Sequence, residues 1–272
     1  MQRKFNPANI PRHVVLIILC LFAVFPIYWM VVSSFKPLSE ILNSSLIVSE
    51  PTLSNYIEAA ATIKILRLTL NTLIIAVSHA VFQLLTAVMA SYALTRWEFK
   101  GRGLIMMILS LTWLVPFQAI MMPNYVTISA MNLRNTIVGV VLPFTASAFA
   151  ILSIYQAFRS FPKALIEAAV LDGISEPGIL FRIIIPNIKA TFVSLGILLF
   201  INGWNEYIWA LLVNAKLDQA PIQIGLQSFL ALEGNAWGPL MAAATLSSLP
   251  ILALYIALQK QIINSFVKWG IK

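Results

Sequence analysis

Glu167-Ala168-Ala169-Val170-Leu171-Asp172-Gly173, running on to Ile183-Ile184-Ile185-Pro186, lies between strongly apolar segments yet has Lys163, Glu167, Asp172, Glu176 and Arg182 in and around it. Ionised side chains do not stay in hydrocarbon without partners, so this segment is expected in water between two membrane spans. Phe161-Pro162-Lys163 opens a helix, because proline is tolerated in a first turn. Ala168 and Ala169 continue it, and Gly173 is placed to end it in the left-handed conformation. Ser175 is positioned to cap a second short helix that begins at Glu176-Pro177 and runs toward Pro186. The expectation is a helix–turn–helix knuckle with a nearly flat surface, since adjacent alanines let another backbone come close.

Working outward, the 272 residues are 60% hydrophobic and 10% charged, with a mean hydropathy of +0.87. A soluble domain carries roughly 25% charge, so composition alone places the chain in a membrane. The single cysteine, Cys20, sits in an apolar run and is read as packing, with no disulfide framework and no thiol metal site. Arg3, Lys4 and Arg12 precede an apolar run over 14–35 that is too long for a signal peptide and lacks a small-x-small cleavage site, so it is read as a retained first span.

Apolar windows long enough to cross the hydrocarbon core fall at about 14–35, 69–94, 103–123, 135–158, 190–213 and 239–259. The fold class predicted is therefore all-α, a polytopic membrane bundle of six transmembrane helices in one permease domain over 1–272. With the N-terminus inside, five basic residues fall outside (Lys36, Lys64, Arg67, Arg134 and Lys216) and the remaining thirteen fall inside. That asymmetry favours an N-in, C-in orientation and puts the loop at about 159–189 in the cytoplasm. It also accounts for the net charge of +8 without invoking nucleic acid. The outer loops at 36–67 and about 214–238 are candidate surfaces for an extracytoplasmic partner or plain solvated connectors. Turns are expected in the first at Pro37, Asn43, Ser44, Ser45 and Pro51, with a short surface helix between Tyr56 and Leu66, and the second contains Asp218, Pro221, Gly225, Gly234 and Trp237. Pro26, Pro116, Pro143 and Pro250 are expected to bend their spans.

The Glu167 segment resembles the "EAA" loop of binding-protein-dependent ABC importers, in which Glu-Ala-Ala is followed by Gly at the sixth position and an Ile-x-Leu-Pro-like ending. Here Glu167, Ala168, Ala169, Gly173, Ile183 and Pro186 match, and Ile185 replaces the Leu. Glu58-Ala59-Ala60 begins the same way but has Lys64 where Gly belongs, and reads as ordinary amphipathic helix. Ser91 to Arg102 and Asn202-Gly203-Trp204-Asn205-Glu206-Tyr207 resemble two further stretches of the carbohydrate branch, so the likeness covers most of the chain. It points to the shorter permease of a sugar importer, of the maltose-transporter G type or the related glycerol-phosphate type, with the type I permease fold. The ending Val267-Lys268-Trp269-Gly270-Ile271-Lys272 departs from the family's Gly-Ala-Val-Lys-Gly-like tail, so no ATPase contact is carried over to it.

The resemblance implies a transport subunit in a bacterial plasma (inner) membrane, surrounded by lipid. Its partners would be a second homologous permease, two ATP-binding subunits and an extracytoplasmic solute-binding protein. Glu167, Ala168, Ala169, Leu171, Asp172, Gly173, Ile183 and Pro186 would couple this chain to the ATPase. ATP and Mg would sit on the partner subunits, with no cofactor on this chain. Its own residues agree in part: Gly-x-x-x-x-Gly-Lys-Ser/Thr, His-Glu-x-x-His, Cys-x-x-Cys and Gly-x-Ser-x-Gly do not occur.

Inside the spans, Glu206 is the only acidic residue, and a charge at mid-bilayer costs roughly 2.5–3.5 kcal/mol. Helical spacing puts Asn202, Asn205, Glu206 and Trp209 on one side, a polar and aromatic stripe suited to a sugar in the translocation pathway. The competing reading bonds the stripe to a neighbouring permease or sets Glu206 near the outer interface. At 1.5 Å per residue from Thr191, Glu206 would lie about 22 Å from the inner edge. His79 is read as a hydrogen-bonded packing residue, and Trp113, Gln118 and Asn124 are not assignable to a face. Two rival functions stand beside the importer: a proton-coupled secondary transporter using His79 and Glu206, and a membrane protein that moves nothing.

Overall fold

An apolar run makes a straight span only if none of its residues removes a backbone hydrogen bond, and that condition separates the helices here. The structure, a computed structural model, describes residues 10–41, 43, 45–230 and 236–270, with 260–270 by backbone alone. Expectations resting on Arg3, Lys4, Ser44, Gly234, Ile271 and Lys272, and on the side chains of Lys260, Val267 and Lys268, lie outside the described residues. In chain order come α1 (Ile10–Ser34), α2 (Ser54–Thr62), α3 (Ile65–Arg96), α4 (Arg102–Leu114), α5 (Phe117–Ala130), α6 (Ile137–Val141) and α7 (Ala148–Arg159). They are followed by α8 (Lys163–Leu171), α9 (Glu176–Gly178), α10 (Ile185–Asn187), α11 (Lys189–Trp204), α12 (Ile208–Val213), α13 (Ile222–Leu230) and α14 (Trp237–Gly270). No strand occurs among the described residues.

α1, α3 and residues Trp237–Gln259 of α14 are each long and apolar enough to cross a membrane. Pro26 and Pro250 lie within α1 and α14 without interrupting them. Other spans are broken. α4 and α5 meet at 97°, so the single third span expected over 103–123 is two helices. The reason is local: Pro116 has no N–H to donate and forces Val115 out of the helical region to ψ 117°. The fourth run bends by 47° after the turn that contains Pro143, and Ser147 restarts it by accepting the Ala150 N–H at 3.3 Å. The fifth, expected to be continuous over 190–213, stops at Trp204 and resumes as α12 after an irregular Asn205–Tyr207 turn. The third bent pair is Glu176–Asn187 with α11, meeting at 82°, and with each bent pair taken as one span up to six crossings are available.

The chain forms two compact units. One comprises the residues up to Ile65 together with Leu226–Pro250. Here the first outer loop is tied down rather than solvated. Lys36, expected on an outer surface, is fully buried, with Nζ donating to the Asn43 and Ser45 carbonyls at 3.0 and 2.7 Å. Its ammonium also lies 4.4 Å from the Trp29 ring. A buried cation needs such partners. α2 lies where a short helix is expected but runs Ser54–Thr62, stopping before Leu66, which belongs to α3; it is held by Asn55 Nδ2 donating to the Ser34 and Lys36 carbonyls. Ala59 of the look-alike Glu58 motif is buried there as ordinary helix packing.

The other unit spans Leu66–Gly225 and the chain from Ile251 onward. Its core joins α3, α7 and α11 to the 159–189 segment through Ala87, Tyr92, Ile154, Phe158, Ile179 and Leu195. Gly203 lets α11 approach α3 closely, since a Cβ there would stand 2.9 Å from the Ala76 Cα. The second outer connection is not open chain: the Ile222 N–H at the start of α13 donates to Thr72 Oγ1 at 2.8 Å. Asn71 Nδ2 meanwhile donates to the Asp218 and Ala220 carbonyls.

Candidate functional site

The knuckle begins with Pro162 at φ −62°, ψ 119°, and α8 follows over Lys163–Leu171. It ends in a Schellman cap. The Ile174 N–H returns to the Ala169 carbonyl at 3.0 Å, the Gly173 N–H returns to Val170 at 3.0 Å, and Gly173 stands at φ +74°. This geometry gives a reason for glycine six residues after Glu167. The companion apolar contact of such a cap is present too, with Ala169 buried and Ile174 packed against the same core.

The two alanines therefore differ. Ala168 is exposed, but Ala169, expected on the docking surface, is only 4% exposed and packs inside its own chain. Glu167, Leu171, Asp172, Gly173 and Pro186 are exposed and Ile183 is half-buried. Leu171 is 88% exposed at the tip. Ser175 occupies the position before the second helix without capping it through its side chain. That second stretch changes character: α9 runs into a π-helical turn over Ile179–Ile184 before α10.

One part of the knuckle was not legible as a site. Glu176 receives Arg96 in a fork, Nη2 to Oε1 at 2.7 Å and Nε to Oε2 at 3.0 Å, and Tyr92 donates its hydroxyl to Oε2 at 2.5 Å. The forked guanidinium, and then the tyrosine hydroxyl, hold the Glu176 carboxyl below the usual carboxylate range. The end of α3 is thereby fastened to the second half of the knuckle. The 80-residue separation hides this pair from any local pattern.

The proposed polar stripe is rearranged by the break after Trp204. Trp209 is fully buried and lines no opening, and its indole N–H donates to the Gly139 carbonyl at 3.2 Å. Asn202 lies on the exposed side of α11 and does not reach the cavity that Asn205 and Glu206 line. The expected single face of four residues is thus two residues, because Asn205–Tyr207 leave the helical register.

Those two open onto a cavity of about 390 Å³ whose other walls are Phe117, Gln118 and Met121 of α5, Phe144, Tyr207 and Ile208. Glu206 accepts the Trp209 N–H at 3.0 Å, fixing its carboxylate at the start of α12. Asn205 Nδ2 donates to the Ile201 carbonyl at 2.9 Å. Phe117 stacks with Phe144 at 4.7 Å and meets Trp209 edge-on at 5.7 Å, so the buried indole supports the cavity wall from behind. His79 is 3% exposed, packed 4.9 Å from Phe144 and against the Gly203 backbone. Among the described residues there is no cluster of groups that could hold a metal.

Residues 83–267 match the family described as binding-protein-dependent transport system inner membrane component. The chain belongs to this family. It is 28% identical to the arabinooligosaccharides transport system permease protein AraQ of Bacillus subtilis over 99% of this chain and 98% of that protein. It is also 27% identical to the sn-glycerol-3-phosphate transport system permease protein UgpE of Brucella abortus, over 96% of each. A crystal structure of a bacterial ABC transporter involved in the import of the acidic polysaccharide alginate contains a chain of the same fold. Its TM-score is 0.82 at 24% identity, covering 94% of this chain and 98% of that one. The protein is thus an all-α membrane permease of an ABC importer, and the expectation of the permease fold is borne out.

Proposed function

We propose that this permease imports a sugar or related polyol across a bacterial plasma membrane. It would be paired with a second homologous permease, two ATP-binding subunits carrying ATP and Mg, and an extracytoplasmic solute-binding protein. The observation that carries the coupling role is the knuckle. A rigidly capped helix presents Glu167, Ala168, Leu171 and Asp172 outward, while Ala169 and Glu176 bind it to the rest of its unit. A tip that is exposed and apolar on an otherwise charged turn suits a groove in another subunit. In alternating access, closure of the ATP-binding subunits displaces the knuckle, and the Arg96–Glu176 fork carries the movement into α3.

Six passes with both ends in the cytoplasm fit the three long helices, the bent pairs α4–α5 and Ile137–Phe144 with α7, α11 as the fifth crossing, and the distribution of Lys and Arg. A sugar is favoured by the AraQ relationship, and a glycerol phosphate is the second reading, favoured by UgpE. Purifying a tagged copy in mild detergent tests the assembly. An ATPase and a second permease should elute with it, and proteoliposomes of that assembly should take up solute only with ATP and binding protein. Uptake by this chain alone without ATP would refute the proposal.

A further inference from the structure

We propose that the cavity at Asn205 and Glu206 is a solute subsite that accepts neutral polyhydroxylated groups and rejects anions; this rests on the permease reading above. Its volume of about 390 Å³ falls within the roughly 300–1,000 Å³ of small-molecule sites. None of its lining residues is basic. Its one acidic side chain is Glu206, which cannot swing away cheaply because Trp209 N–H holds it and α12 begins there.

The polar complement is rich in acceptors. Asn205 commits an amide hydrogen to the Ile201 carbonyl, leaving its oxygen for other donors, and the Glu206 carboxylate accepts only. Gln118 and Tyr207 add groups that both give and receive hydrogen bonds. Sugar hydroxyls satisfy such a set by donating, whereas a phosphate or carboxylate brings only more acceptors and a repelling charge. Phe117 and Phe144, 4.7 Å apart and tilted by 37°, give apolar ring faces on which the C–H face of a sugar ring can rest.

The test uses the assembled importer in nanodiscs with Cys20→Ser and Asn205→Cys. Reaction rates are measured with a cationic and an anionic methanethiosulfonate of similar size. The cationic reagent should react roughly tenfold faster, as expected of a fixed carboxylate in a partly dry site. Adding Glu206→Gln should bring the ratio near one. A ratio near or below one with Glu206 present overturns the inference.

In the same preparation a neutral arabinose disaccharide should slow labelling, and sn-glycerol 3-phosphate at equal concentration should not. Equal slowing by both, or slowing by neither, overturns it. ATP-dependent disaccharide uptake by the unsubstituted importer is scored separately. Intact uptake with unselective labelling sinks the subsite alone, and absence of uptake sinks the sugar-import reading on which it rests.

Discussion

Replacing Gly173 separates backbone strain from side-chain crowding unusually cleanly. The residue stands at φ +74°, and a Cβ built on it would meet nothing within 4 Å. Any penalty is therefore conformational. An L-residue in the left-handed region costs roughly 1–2 kcal/mol, with Asn at the low end and a β-branched side chain above it. One to two kcal/mol lowers the ratio of capped to frayed knuckle by about 5–30-fold. Membrane insertion should be untouched, because the site is exposed and no core contact is lost. Coupling should fail in proportion.

In proteoliposomes of the complete importer, ATP hydrolysed per solute imported should rise in the order Gly173, Gly173→Asn, Gly173→Ala, Gly173→Val. Detergent-extracted yield of the assembly reports insertion independently. Normal coupling in an inserted Gly173→Val protein would refute the lever, and Gly173→Asn worse than Gly173→Ala would refute the left-handed argument.

The Arg96–Glu176 fork predicts that Arg96→Glu and Glu176→Arg each lower uptake several-fold, while the double exchange recovers part of it; no recovery would mean that the pair is incidental. Its pH dependence has a definite sign. Glu176 is held below its usual range, so its contribution is complete above the unfolded carboxyl value of about 4.3 and is lost as pH falls through the lower folded value. The difference in melting temperature between the native protein and Glu176→Gln should therefore stay level from pH 8 to 5 and shrink below about pH 4. At the α3–α11 crossing, Gly203→Ala sets a Cβ against backbone, and overpacking of this kind costs about 1–3 kcal/mol, read as a lower melting temperature. Finally, in the Cys20→Ser background, a membrane-impermeant thiol reagent should label Ala168→Cys from the cytoplasmic side of inverted vesicles only, and Ala169→Cys should react far more slowly. Labelling of Ala168→Cys from outside intact cells would reverse the topology.

What could be read from the linear chain was whatever depends on additive or short-range terms. Apolar runs declare membrane residence because transfer energy sums along a helix. Gly173 declared its cap, since only local backbone sterics are involved, and the short helix near Tyr56 followed from neighbouring turn residues. Breaks were less legible. Pro116 announced a bend but not one of 97°, and nothing local foretold that the helix would stop at Trp204.

Tertiary structure decided the rest. Helical periodicity assumed an unbroken register, so it placed Trp209 beside Glu206 on one face. The fold instead buries the indole beneath Gly139 and leaves Asn205 and Glu206 to line a cavity with residues of α5. Glu176 read as one more solvated charge until Arg96 and Tyr92 were brought to it. Ala169 faces inward because one helix in contact with a core has a dry side and a wet side. Membership of a membrane class is a property of summed composition; which side chain meets which depends on contacts between distant segments, and those exist only once the chain has folded.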